Sequence, residues 1–500
     1  MAALAGTRDD AAMGRLFIGG AWRDGAGGAS VEVRDPSTGT AFGRVAVATA
    51  DDAAAAVEAA DGVAERWGRT PGHDRAKLLR GIADRLEAAG EPMAALIAQE
   101  VGKPIVDARV EVGRAVSVFR LAADEIRHLT GETFPADAYA YPPGNERRLL
   151  YSTRDPIGVV VAIGPFNFPL NLLAHKVAPA LAAGDPVVVK PASAAPLTAI
   201  ELVRTVEAAG APPGVINLVA GPGGSVGDAL VDHPATRLVT FTGSTAVGTA
   251  IAARAGRQAK RVILEMGGLD PMVVLEDAPL ESTVAAAARG AFAFAGQVCT
   301  ASKRIVVAEA IADRFAERLA ATARGLRLGP ASAETTQVGP VIAPESLERL
   351  DRLIADATGR SAKVLAGGDR AAELAPGWFY RPTVLDAVPA DAAIALEEPF
   401  GPVAPILRVE GIEEAIAVAN GTSYGLQASI FTRDMGRAFE FARRVRAGGV
   451  HINDPTTLRW DALPFGGVRS SGLGREGVAY AMREMTELKL VSVNYGPTGP

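Results

Sequence analysis

The chain of 500 residues is poor in the residue types that build covalent or metal-held scaffolds, with one cysteine and five histidines. An intramolecular disulfide is impossible and a thiol-based metal cluster has no ligands, so a reducing compartment and no metal site are expected. No stretch approaches the ~18 consecutive apolar residues of a membrane span. The first residues, MAALAGTRDDAAMG, lack a basic segment followed by an apolar one, so no secretory leader and a cytoplasmic location are expected. A basic block or stripe is also missing. Lys and Arg number 51 against 57 Asp and Glu, a net charge of −6, and nothing here would displace counterions from a nucleic acid. Membrane and nucleic acid are therefore not expected partners.

What is present is ordinary globular composition, 48% apolar and 22% charged, in a chain too long for one hydrophobic core. Two or three packed units follow. From Asp51 to about Arg127 the pattern reads as successive amphipathic helices, with Asp51 or Asp52 available as an N-cap. The rhythm then changes to short β-branched runs: YSTRDPIGVVVAIGPFNFP (151–169), DPVVVKPAS (185–193), GVINLVAG (214–221), TRLVTFTGS (236–244) and KRVILEMGG (260–268). Helical stretches such as PLTAIELVRTVEAAG separate them, which predicts a doubly wound parallel sheet. A second α/β series begins near Met272 and closes with GVHINDP near residue 455. The proline-rich 134–152 segment reads as an excursion, and ELKLVSVNY (487–495) as a strand suited to pairing across a subunit interface.

In such sheets ligands bind beyond the carboxyl ends of the strands, and the residues there are polar or glycine-rich. Cys299 lies in GAFAFAGQVCTASKRI, which reads as an apolar helix that contains a thiol. A lone cysteine is more often a small buried apolar residue than a nucleophile, and reactivity needs a polarised, partly open setting. Glu265 ends an apolar strand ahead of two glycines and is either a solvated strand end or a base facing a cleft. Asn167, between aromatics in GPFNFP, is either a turn residue or an amide donor to an oxyanion. FTGSTAVG (241–248) is a strand followed by a glycine-rich helix start, suited to a pyrophosphate although it is not GxGxxG.

Taken in order, GPFNFP, VVVKPAS, FTGSTAVG, LEMGG, GQVCTASKR, EEPFGPV (397–403) and PFGGVRSSGLGREG (464–477) resemble the aldehyde dehydrogenase superfamily, over about residues 15 to 495. The resemblance implies an α/β fold: a doubly wound Rossmann-like cofactor domain (1–129 and 153–263), a second α/β catalytic domain (264–478), and a small β oligomerisation element (130–152 and 479–500). It implies a homodimer or homotetramer. It also implies that Cys299 attacks the aldehyde to form a thiohemiacetal, that Asn167 and the Cys299 N–H hold the oxyanion, and that Glu265 activates the water that hydrolyses the thioester. The implied cofactor, NADP or NAD, would be bound by Ile163, Gly164, Pro165, Phe166, Lys190, Ser193, Gly223, Gly227, Phe241, Gly243, Ser244, Val247, Met266, Glu398 and Phe400. Many NAD-preferring members carry a glutamate where Ser193 stands. The neutral hydroxyl lifts a like-charge penalty on a 2′-phosphate, so NADP is expected to be accepted or even preferred, the alternative being that Ser193 is a turn residue and selectivity is set elsewhere.

For the aldehyde itself, the resemblance points to Arg120, Asn167, Val298, Thr300 and Arg459. The two arginines suit a carboxylate, phosphate or sulfonate tail, and their alternative is ordinary surface pairing, with Asp124 and Asp461 as candidate partners. Val298 is apolar where some phosphate-binding relatives carry arginine. A short anionic or hydroxylated aldehyde is expected, of lactaldehyde, succinate-semialdehyde or glyceraldehyde-3-phosphate type. Lys303 and Arg304 read as structural cations beyond the site. Two other functions stay open: a coenzyme A-acylating semialdehyde dehydrogenase, which needs no water-activating base, and a catalytically silent binding or structural protein on the same scaffold.

Overall fold

The computed structural model describes residues 13–496. The leader-free reading of the first residues and the outermost ends of the expected domain boundaries therefore lie outside the described residues. Four helices come early, Ala50–Gly68, Gly72–Ala88, Gly90–Val101 and Ile105–Glu125, as the periodicity predicts. The first is capped by Thr49, whose hydroxyl accepts from the Asp52 N–H while the Asp52 carboxylate accepts from the Thr49 N–H. Asp52 is thus the third helical residue of a capping box rather than the cap, an arrangement worth about 1 kcal/mol.

The five β-branched runs become five parallel strands in the order Arg261–Glu265, Thr236–Thr242, Val159–Ile163, Val187–Lys190 and Ile216–Leu218. Val159–Ile163 and Val187–Lys190 are buried along their whole length, as a sheet covered on both faces requires. The chain starts in the middle at Val159–Ile163, builds outward through 187–190 and 216–218, then returns to the other side at 236–242. That reversal opens a crevice between the loops after Ile163 and after Thr242, the place where open α/β sheets bind ligands. Both edges are closed by antiparallel strands from distant sequence: Leu16–Ile18 with Ala21–Arg23 on one, Gly472–Leu473 on the other. These were too short to carry a β-branched run. Gly472–Leu473 also returns chain from the expected second domain to the first sheet.

The second sheet has seven strands in the order Lys363–Ala366, Thr383–Asp386, Val403–Val409, Arg304–Ala308, Pro271–Val274, Gln427–Phe431 and Gly449–Ile452, all parallel except the first. A separate antiparallel sheet joins Thr133–Phe134, Arg148–Pro156 and Thr486–Asn494. On its outermost strand Leu488 and Leu490 are 59% and 64% exposed. Among the described residues no helix is long and apolar enough to cross a membrane.

Candidate active site

Cys299 stands where the two large sheets meet. The helix Leu280–Phe292 does not run on to it as the sequence suggests. It breaks into a turn in which Phe294, Ala295 and Gly296 all take positive φ, 48°, 51° and 70°. Glycine is required at 296, because a Cβ there would lie 2.0 Å from the Gly401 carbonyl oxygen. Gln297 fixes the turn from inside, its side chain accepting from the Ile342 N–H at 2.8 Å and donating to the Pro340 carbonyl at 3.3 Å. Gly290 allows a second close approach: a Cβ there would meet Ser302 Oγ at 2.4 Å.

The thiol is half-buried. Burial pushes it well above its ordinary range, the nearby Glu265 carboxyl pushes the same way, and Lys303 and Arg459 oppose them. The cysteine therefore rests as a thiol and needs a base. Lys303 is not beyond the site: its ammonium donates to the Cys299 carbonyl and pairs with Glu398 at 2.9 Å. Its neighbour Arg304 does serve structure alone, donating to the carbonyls of Leu269, Val418 and Ala419.

Glu265 ends its strand 1% exposed, and among the described residues neither carboxylate oxygen has a hydrogen-bond partner. Burial first, then repulsion from Glu476, raises its carboxyl to about 8, while Arg459, Lys176 and a contact from the Cys299 thiol pull the other way. A carboxyl tuned near neutrality beside a thiol is a proton acceptor held in reserve. Asn167 is oriented at both ends of its amide: Nδ2 donates to the Gln297 carbonyl at 2.9 Å and Oδ1 accepts from the Phe168 N–H at 3.1 Å. One amide N–H is left for a ligand.

A cavity of about 750 Å³ runs from these groups along the crevice. The structure places every residue expected at the cofactor on its wall. The loop 163–166 follows the central strand, Lys190 and Ser193 follow the next, and Gly223 with Gly227 lie in the turn after the third. Phe241, Gly243, Ser244 and Val247 follow the strand across the reversal, Met266 follows Glu265, and Glu398 with Phe400 come from the second unit. Phe166 and Phe400 meet edge to face, with ring centroids 5.7 Å apart. Ser244 caps the helix Thr245–Gly256, whose start points its free N–H groups toward the crevice, a setting suited to phosphate. Burial lowers the Lys190 ammonium to about 8, and its hydrogen bond is a long one of 3.3 Å to the Pro191 carbonyl. A buried cation so weakly partnered fits a ribose hydroxyl. Size, apolar walls, helix start and unsated lysine together suit a dinucleotide.

The expected aldehyde contacts fare differently. Arg120 is not brought to the site; it lies exposed on its helix, donating to Glu87 and Asp84. Its helix turns that face to solvent, and Asp124 is taken by Arg80 instead. Val298 packs into the main apolar core and Thr300 is buried, its carbonyl accepting from Thr456 at 2.7 Å, so neither lines the cavity. Arg459 does not line the cavity either, although its charge reaches Glu265 and Cys299. It is 9% exposed, pairs with Glu476 at 3.0 Å rather than with Asp461, and stacks 3.8 Å over Phe465. Asp461 belongs to Arg114 and His175.

Several groups escaped the sequence reading. Arg349 reaches the cavity wall from an amphipathic helix of the second unit, where an exposed arginine carries no signal. Lys176, next to His175, pairs with Glu476 at 2.7 Å. Two adjacent polar residues inside NLLAHKVAPALAA, apolar after its first residue and buried throughout, were a legible anomaly.

Comparison with known proteins agrees with this geometry. The profile of the aldehyde dehydrogenase family matches residues 22–491. The chain is 40% identical over 483 residues to lactaldehyde dehydrogenase of Methanocaldococcus jannaschii, covering 96% of this chain and 100% of that one. It is 38% identical over 477 residues to 3-sulfolactaldehyde dehydrogenase of Pseudomonas putida, covering 95% and 96%. A crystal structure of an E. coli NADP-dependent enzyme superposes with a TM-score of 0.92 at 35% identity, covering 96% of this chain and 98% of that one. With a thiol, a reserve carboxylate and a dinucleotide-sized crevice at the junction of its two sheets, the chain belongs to the aldehyde dehydrogenase family and is an NAD(P)-dependent aldehyde dehydrogenase.

Proposed function

We propose that the chain oxidises a short aldehyde carrying a hydroxyl or an anionic group to the free acid, by hydrolysis of a thioester on Cys299. The observation that carries this reading is Arg459, held almost buried in its pair with Glu476, its charge acting on both Cys299 and Glu265. A guanidinium there suits a carboxylate or sulfonate tail. The relatives named for lactaldehyde and 3-sulfolactaldehyde support a hydroxylated three-carbon aldehyde.

The Cys299 thiol gives its proton to Glu265 as the sulfur adds to the carbonyl carbon. The spare N–H of Asn167 and the Cys299 backbone N–H hold the oxygen that becomes negative, each such donor being worth ~3 kcal/mol in the transition state. A bound NAD(P) would supply the hydride acceptor that takes this adduct to the thioester. Glu265 releases that proton to solvent, takes another from water as the water oxygen attacks the acyl carbon, and passes it to the departing sulfur, so the acid leaves and the thiol is restored. Lys190, Ser244 and Glu398 position the cofactor, and Ser193 leaves room for a 2′-phosphate, so NADP is accepted. Two copies join through the strand Thr486–Asn494, whose exposed leucines and free edge need a partner.

A panel of lactaldehyde, succinate semialdehyde, glyceraldehyde-3-phosphate and aromatic aldehydes, read by NADPH and NADH absorbance, tests the assignment. Small hydroxylated or anionic aldehydes should lead, with acid formed without coenzyme A. Arg459→Ala should raise KM for an anionic aldehyde well above its effect on a neutral one of similar size; an equal effect on both removes the anion anchor, and acyl-coenzyme A as sole product removes the hydrolytic reading.

A further inference from the structure

A single buried ammonium lies behind two parts of the site at once. The Lys303 side chain is 2% exposed, and its Nζ reaches two oxygens. One is the backbone carbonyl of Cys299, to which it donates; the other is Glu398 Oε1, at 2.9 Å. Glu398 stands on the wall of the same cavity as Cys299. The loop after Glu265 packs against both partners: a Cβ at Gly267 would lie 2.7 Å from Glu398 Oε2, and one at Gly268 3.0 Å from the Cys299 carbonyl oxygen. Direct contacts therefore run from the cavity wall, through one ammonium, to the residue that carries the thiol.

An ammonium has three hydrogens and only donates, so it can hold both oxygens together. Burial works against its charge, but Glu398 and Asp270 outweigh that and raise it above its ordinary range; with Cys299 these are the groups that face it. Asp270 is itself buried, with Oδ2 unpartnered among the described residues, and burial lifts its carboxyl to about 7. It can balance Lys303 only in part, which leaves Glu398 as the main counter-charge. Of the two carboxylates, Glu398 alone lines the cavity. Hydroxyls donated to it by a ligand share the negative charge that now balances Lys303. The thiol faces Glu265, Asp270, Lys303 and Arg459, so a less cancelled charge on Lys303 favours the thiolate.

We propose that Lys303 is a positioning residue that links cofactor to nucleophile: it holds the Cys299 carbonyl and the Glu398 carboxylate on one ammonium, so that a ribose bound at Glu398 is felt at the thiol. This rests on the reading of the cavity as a dinucleotide site and of Cys299 as the nucleophile.

The test is the rate of Cys299 alkylation by iodoacetamide, with and without ADP-ribose, which carries the second ribose but neither the nicotinamide nor its charge. AMP, which ends before that ribose, is the control. The thiolate is the reacting form, so ADP-ribose should raise the wild-type rate about threefold or more while AMP does not. Lys303→Met should slow alkylation of the free protein by about threefold or more and abolish the response to ADP-ribose. Glu398→Gln keeps the ammonium and removes its counter-charge, so the free protein should alkylate faster than the wild type by about the same factor, with little added by ADP-ribose. Loss of packing alone would not give the two variants opposite signs. A wild type indifferent to ADP-ribose that calorimetry shows to be bound, a response kept in Lys303→Met, or a rate in Glu398→Gln no faster than in the wild type overturns the assignment; the last decides alone if Lys303→Met does not fold. If calorimetry finds neither ADP-ribose nor its 2′-phosphate bound, the dinucleotide reading beneath it fails instead.

Discussion

At the cofactor end of the crevice, the side chains on the wall sit within a few residues of a strand terminus: Gly164 to Asn167 after one strand, Lys190 at the end of the next, Ser244 after a third. Toward the end we propose for the aldehyde, the polar groups come from elements far apart in the chain and meet through ion pairs, Arg114 with Asp461 across 347 positions and Lys176 with Glu476 across 300. The first end is mostly backbone and apolar wall, built by local turns. The second is a buried charge cluster in which each group's protonation depends on its neighbours. Recognition of a constant ligand can be local; recognition of a variable one is assembled from long-range contacts.

The hardest break to that contrast comes where the ends join, at Glu265. Glu265→Gln should lower steady-state turnover by about 10²–10⁴-fold. A burst of NAD(P)H of about one equivalent per site should remain if another group can accept the thiol proton, showing that acylation outlives hydrolysis. In the wild type, hydrolysis-limited turnover should rise with pH through about 8, where the Glu265 carboxyl ionises. Stability should move the other way. A carboxyl whose folded pKa is raised from 4.5 to about 8 binds its proton more tightly folded than unfolded, so its contribution is lost as pH climbs through that window. Glutamine cannot ionise, so the melting temperature of Glu265→Gln relative to the wild type should rise from pH 6 to pH 9. An offset that stays constant would mean the carboxyl is already ionised throughout.

The contrast also explains what could be read from the sequence. The five parallel strands were legible because their apolar β-branched runs are contiguous, from Val159 to Glu265, while the cofactor residues, expected from the resemblance, fall mostly in the turns after them, with Glu398 and Phe400 from the second unit. The edge strands Leu16–Ile18 and Gly472–Leu473 were not, since two or three residues carry no periodicity and are recruited by the sheet they complete. Arg120 and Arg459 look alike in sequence, yet one faces Glu87 in solvent and the other is almost buried, stacked on Phe465. Helix phase and loop path separate them, and both are tertiary facts. The break after Phe292 was hidden because Gln297 and the Gly401 contact, both long-range, hold the left-handed turn in place.

A second, smaller break lies beneath the joint itself. Lys103, 1% exposed, is paired with Glu111 and sits 3.7 Å from the Phe168 ring and 4.7 Å from that of Phe294. Glu111 also accepts from the N–H groups of Leu170 and Asn171, at 2.9 and 3.1 Å. One cation thus ties the Asn167 loop to the turn that carries Cys299. Lys103→Met strands a buried carboxylate and should cost about 3–5 kcal/mol in denaturant titration. It should also lower kcat about tenfold, with cofactor KM changed far less, as expected when an oxyanion donor is displaced. Pairing it with Glu111→Gln should restore most of the stability but little of the turnover. If both recover together, Lys103 supports the fold and has no part in aligning the two loops.

The smallest break belongs to the cofactor end, where a local change should have a local effect. Ser193 lines the cavity from an exposed turn three residues after Lys190, so a carboxylate there would face the adenine ribose in water rather than in the buried cluster. At about 4 Å in a high-dielectric setting, one unit charge is worth ~1 kcal/mol against each charge of a 2′-phosphate, and up to several times that where water is partly excluded. Ser193→Glu should therefore shift the NADP to NAD ratio of kcat/KM toward NAD by about 5- to 10-fold or more. The aldehyde KM should hold steady, because among the described residues no hydrogen bond links Ser193 to Arg459, whose charge is held by Glu476. An altered aldehyde KM would show that the two ends are coupled despite their separate construction, and an unchanged cofactor ratio would place the discrimination elsewhere on the wall.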